Sequence, residues 1–135
     1  MQTTVVITLV LHVLSGVFWA GSTLVLARIG GPQAGHLRRP QLGAAAVAIV
    51  TGALLWYLLH RGGEGLSERI LATGAVFALI AAGVQAVSGV AGRQVLAGAG
   101  NLQSARLENR AVTGQRIAAA CLVVTVICMA AFRYV

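Results

Sequence analysis

Acidic residues are almost missing: three glutamates, Glu64, Glu68 and Glu108, and no aspartate in 135 residues. Lysine is missing altogether, so all 10 cationic residues are arginines. Charged residues make up 10% of the chain, against about 25% in an ordinary soluble domain. None of the three carboxylates falls in an apolar run, which argues against proton-coupled exchange of the small multidrug type, where a membrane carboxylate trades protons for substrate. Cysteine occurs twice, Cys121 and Cys128, in one apolar run. On a helix the pair lies about 10 Å apart, beyond what a disulfide tolerates, so both are expected as free thiols. There is no His-x-x-x-His, Cys-x-x-Cys or Glu-x-x-His, no phosphate-binding glycine loop and no nucleophilic triad. The familiar zinc, dithiol, di-iron, nucleotide and hydrolase chemistries therefore have no foothold.

What is present is apolar. Hydrophobic residues make up 58% of the chain and the mean hydropathy is +0.85. The pattern predicts an all-α integral membrane protein with spans at 4–27, 41–59, 70–91 and 117–132, long enough to cross a bilayer. The fourth is short, and Arg116 and Arg133 are placed to snorkel and extend it. A single transmembrane domain then fills residues 1–135, an up-down antiparallel four-helix bundle. Residues 1–4 carry no basic charge, so the first run reads as a retained span and not as a secretory signal.

Local signals punctuate the spans. Arg28 and Gly30-Gly31-Pro32 close the first, and Pro40 is placed to open the second. Trp56 and Tyr57 suit an interface. Gly62-Gly63-Glu64-Gly65 forms a turn, Ser67 reads as an N-cap, and Glu68 favours the first helical turn. Gly92, Gly98 and Gly100 weaken any helix through the polar 92–116 link, which reads as a solvated connection resting on the membrane surface, with a docking surface for a soluble partner as the alternative.

The net charge of +7 comes from arginines at the ends of apolar runs, which reflects topology and not nucleic-acid binding. Seven of them, Arg28, Arg38, Arg39, Arg93, Arg106, Arg110 and Arg116, fall on one side. The positive-inside rule then puts links 28–40 and 92–116 in the cytoplasm and both termini outside.

The first span holds one ionisable side chain, His12. Wound as a helix, it puts Thr8, His12, Ser15, Gly16, Trp19, Ser22 and Thr23 on one face, and Val6, Val10, Val13, Val17 and Leu24 on the other. One stripe is polar or small; the other suits lipid. At about 1.5 Å per residue, His12 lies about 12 Å below the outer surface, level with Gly52, Gly74 and Cys128-Met129. Gly16 is one turn deeper. A histidine among glycines offers a flat macrocycle one iron ligand and little bulk. His12, Gly16, Trp19, Gly52 and Gly74 are therefore the candidate haem-binding residues, with His12 the metal ligand.

His60 is a further candidate, though it sits about 12 Å above His12. Met129 or Cys128 is closer in depth, and a five-coordinate haem is equally open. A competing reading makes His12 a packing residue, bonded to Ser15, Thr51 or a carbonyl. Copper is the weaker metal, because Cu(I) favours Met and Cys clusters that are sparse here. In the third span Gln85 is expected to hydrogen-bond to a neighbouring helix, since an unpaired amide in hydrocarbon is costly.

Leu11-His12, Trp19-x-Gly21 and Arg28 together look like the first helix of the small four-span proteins related to the copper resistance D domain, a group that also resembles the HemJ-type protoporphyrinogen oxidases. Ile49-Val50-Thr51-Gly52-Ala53-Leu54-Leu55 is similar to their second helix. Arg69 sits where such proteins often carry Lys or Arg, and Ala131-Phe132-Arg133 resembles their end. The resemblance covers the whole chain. It implies a bundle in the bacterial inner membrane with His12 as a haem b ligand, acting in electron transfer or haem-linked redox chemistry. The chain lacks the Asn-Glu-x-Pro of HemJ-type enzymes and the methionines of copper traffic. Two alternatives stand beside this expectation: a non-catalytic subunit of a larger membrane complex, and a copper-handling membrane protein. A membrane or redox partner protein and self-association are both left open.

Overall fold

The four apolar runs become four long helices. The computed structural model describes residues 2–29, 34–59, 65–96 and 101–134. They form α1 (Gln2–Ile29), α2 (Ala34–Leu59), α3 (Leu66–Leu96) and α4 (Asn101–Ala131), the last followed by a 3-10 turn at Phe132–Tyr134. No strand occurs among the described residues. Each helix contains a stretch long and apolar enough to cross a membrane, so the chain is a multi-pass membrane bundle whose natural solvent is lipid.

The burial pattern is that of a protein in lipid. Val6, Val10, Val13, Val17 and Leu24, the apolar stripe of α1, are all exposed, while Thr8, Trp19 and Thr23 on the opposite stripe are buried. The core is built of small side chains: Ala45 and Ala48 from α2, Ala81 from α3, Ala118 from α4, with Trp19 and Leu122 filling between them. In lipid there is no hydrophobic drive to pull helices together, so small residues that let backbones approach do that work. Gly74 is one such position: a Cβ there would lie 3.0 Å from Cys128 Cβ and 3.4 Å from the Thr125 carbonyl oxygen. Gly114, lower on α4, is another, with the Ser88 hydroxyl packed against it.

The pairing is uneven. α3 with α4 is the most extensive contact, then α1 with α2, then α1 with α4; α2 with α3 is the loosest of the neighbouring pairs. The bundle is thus two tight hairpins joined firmly along one seam and lightly along the other. Arg38 latches the light seam at its polar end, donating to the carbonyls of Ser88 at 3.1 Å and Gly89 at 3.5 Å.

Three sequence-based expectations about boundaries need correction. Pro40 lies inside α2, which begins six residues earlier at Ala34. Proline removes only the N–H that would reach the carbonyl of residue 36, a loss borne near a helix end where water can replace it. At the start of α3 the cap is Gly65 and not Ser67. The Gly65 N–H donates to Glu68 Oε2 at 3.3 Å, and the Gly65 carbonyl accepts the first helical bond from Arg69 at 3.3 Å. That is half of a capping box, with Glu68 reaching back to the cap residue.

The third correction concerns the 92–116 link. It is helical over 92–96 and 101–116, continuous with α3 and α4, despite its glycines. Each of those helices has 31 residues and so runs about 46 Å, against about 30 Å of hydrocarbon. The polar residues extend the helices beyond their apolar stretches. Gly92 costs about 1 kcal/mol against alanine, a small term beside the packing of the most extensive helix pair. Gly98 and Gly100 lie outside the described residues, as do Gly62, Gly63 and Glu64, where a turn is expected.

Candidate functional site

His12 is held by α2. Its Nδ1 lies 2.9 Å from the Ala48 carbonyl oxygen and 3.2 Å from Thr51 Oγ1. A carbonyl can only accept, so Nδ1 is the nitrogen that carries the proton, and in the neutral ring the lone pair falls on Nε2. The Thr51 hydroxyl is itself spent on Val47, donating to its carbonyl at 2.6 Å. No polar atom of the described residues hydrogen-bonds His12 Nε2.

Glycine makes room for this arrangement. A Cβ on Gly52 would lie 2.9 Å from His12 Cε1 and 3.4 Å from Nδ1. The ring therefore lies across α2 in a notch that any other residue would fill. It reaches the Ala48 carbonyl one turn away because the notch exists.

Beside the ring is a cavity of about 350 Å³, within the ~300–1,000 Å³ of small-molecule and cofactor sites. All four helices line it: His12, Gly16 and Trp19 from α1, Gly52, Ala53 and Trp56 from α2, Ala75 and Leu79 from α3, Thr125 and Met129 from α4. The described lining contains no charged side chain, so any charged group on an occupant must project out of the cavity. Only two atoms of the described lining are good donors to a soft or borderline metal: His12 Nε2 and the Met129 sulfur.

The floor is rigid. Trp19 Nε1 donates to Gln85 Oε1 at 2.7 Å. The Gln85 amide donates to Thr23 Oγ1 at 2.9 Å, as does Gln41 at 2.7 Å, and Thr23 donates to the Trp19 carbonyl at 2.6 Å. One hydroxyl thus serves three partners on three helices. Thr23 is 0% and Gln41 1% exposed, so the network is closed off from solvent and lipid. Gln85 bonds across helices as its polarity in an apolar run demands, and the bond it makes fixes the indole.

Of the residues singled out by sequence, the structure brings His12, Gly16, Trp19 and Gly52 to one cavity. Gly74 does not line it; its part is the close approach of α3 to α4 beside Cys128. His60 lies outside the described residues. Cys128 is absent from the lining, whereas Met129 is there. Sequence reasoning missed Trp56, assigned to the interface, and Ala75, Leu79 and Thr125. A signal for Trp56 existed: Ala48, Gly52 and Trp56 recur every four residues and share one face of α2.

The fold and site together define a four-span membrane bundle enclosing an apolar cavity with one histidine. No family model, no curated protein and no solved structure matches the chain, so its chemistry rests on its own geometry.

Proposed function

We propose that this is a membrane haem protein in which His12 Nε2 ligates a b-type haem inside the bundle, and that it serves electron transfer or haem-linked redox chemistry in a bacterial cytoplasmic membrane. The observation that carries the reading is the pair of contacts on the ring. The Ala48 carbonyl accepts the hydrogen bond from Nδ1–H, and the Gly52 notch sets the ring plane, so the remaining nitrogen is a ready ligand beside open volume. Ligating histidines characteristically donate their other N–H to a carbonyl or carboxylate, which fixes tautomer and orientation and raises basicity.

The residues present fit the group. Gly16 and Gly52 keep bulk away from the face of a macrocycle, Trp19 offers an immobilised aromatic wall, and the apolar lining excludes water. Met129, also in the lining, would offer the group a thioether sulfur, a ligand type that raises haem potentials. Bound haem would supply a one-electron couple. Ala48, Thr51 and Gly52 hold the imidazole; Gln85 holds Trp19; Thr125 ties α3 to α4 by donating to the Gly74 carbonyl at 3.1 Å. The arginine-rich end faces the cytoplasm by the positive-inside rule, which sets the cavity in the outer half of the bilayer.

A second reading has one observation in its favour. Gly21 on α1, Gly43 on α2 and Gly83 on α3 are exposed with open space beside them, the sort of notch into which another helix packs. On that reading the chain is a non-catalytic subunit of a larger membrane complex. Purified protein separates the two. The haem reading expects an absorbance band in the Soret region that is lost in His12→Ala with helicity intact. A well-folded wild-type protein that stays colourless after exposure to haemin favours the subunit.

A further inference from the structure

The cavity is not walled equally on its four sides. Below it, at the level of Ala45 and Ala81, the two hairpins meet in the buried core, and lower still Arg38 bonds the backbone of α3. At the level of the cavity they part. The residues that line it from the α2–α3 side are exposed on the outer surface as well: Ala53 and Trp56 on α2, Ala75 and Leu79 on α3. Leu79 is 55% and Trp56 38% exposed. Of the lining residues on α1 and α4, Trp19, Leu122 and Thr125 are buried and Val126 is exposed, against four exposed on α2 and α3.

All four rim residues fall inside the stretches apolar enough to cross a membrane. The surface they are exposed to is therefore lipid, not water. A flat amphiphile of mostly apolar surface partitions into such a phase before it meets any protein. From there it reaches His12 by moving sideways, with no charged side chain of the described lining in its path.

Resting on the haem reading above, we infer that the cavity is loaded from the bilayer, through a lateral mouth between α2 and α3 framed by Ala53, Ala75 and Leu79. Exchange through the mouth requires no separation of the tight α1–α2 or α3–α4 hairpins. It also requires the occupant to be membrane-partitioned, which selects a haem dissolved in lipid over a haem delivered through water.

The test is a loading rate. Haem-free protein in liposomes is mixed with liposomes carrying haemin, and the Soret band is followed in time. Ala53→Phe and Ala75→Phe, which add bulk to the rim, load about tenfold more slowly than wild type. Leu79→Ala, which widens the mouth without adding bulk, loads faster. Ala46→Phe, exposed on α2 but away from the lining, loads at the wild-type rate. If wild type loads and the Ala53, Ala75 and Leu79 variants all match its rate, the lateral route is overturned while the haem reading stands. If wild type develops no band, the haem reading fails and the route fails with it.

Discussion

His12 and Gly52 share one space: the imidazole Cε1 of the first lies 2.9 Å from where the second would carry a Cβ. The histidine is thus placed by an absence on the neighbouring helix. Gly52→Ala should displace the ring, lengthen the 2.9 Å bond from Nδ1 to the Ala48 carbonyl, and weaken haem binding by about tenfold or more, the usual cost of disturbing a ligand's orienting bond. Haemin titration checks it, with circular dichroism as the control for folding. Unchanged affinity would show that the notch does not position the ring.

The buried amide network should carry measurable stability. Gln85→Leu strips Trp19 of its acceptor and Thr23 of one donor. Bonds of this kind in membrane bundles are worth about 0.6–2 kcal/mol each, so a loss of about 1–4 kcal/mol is expected for the two. Denaturation in detergent measures it. A variant as stable as wild type would mean that the indole and hydroxyl find other partners.

Glycines should sort by surroundings. Gly74→Val meets Cys128 and the Thr125 backbone and should destabilise by about 1–3 kcal/mol, as overpacking does. Gly83→Ala meets nothing within 4 Å and should be neutral or stabilising by up to about 1 kcal/mol, the helix-propensity gain. Equal effects at the two positions would contradict the packing described.

Orientation follows from charge. An alkaline phosphatase fused after Val135 should be active and a green fluorescent protein fused there dark, because both termini are expected outside. The reverse result would invert the bundle and put the cavity in the inner leaflet.

Much of this was legible in the sequence for reasons that can be named. The two stripes of α1 were visible because one ionisable residue, one indole and several hydroxyls fall at helical spacing in an otherwise aliphatic run. Gln85 declared itself because an amide in hydrocarbon needs a partner. Its choice of Trp19 and Thr23, and the meeting of Gln41 with the same hydroxyl, could not be read, since they depend on how the hairpins are rotated. Gly52 and Gly74 sit at similar depth, yet only one faces His12; depth comes from counting residues, whereas azimuth comes from packing. Helix ends are less legible, because polar sequence can be either loop or helix. Outside the bilayer nothing stops a helix except the chain's own breakers, and 101–116 holds only one, Gly114.

The most direct measurement is chemical rescue of the ligand. His12→Gly, purified and offered haemin, should show no Soret band of wild-type position, and added imidazole should restore it by occupying the space the side chain left beside Ala48 and Gly52. Haem bound by His12→Gly as tightly as by wild type, with no response to imidazole, would contradict ligation by His12.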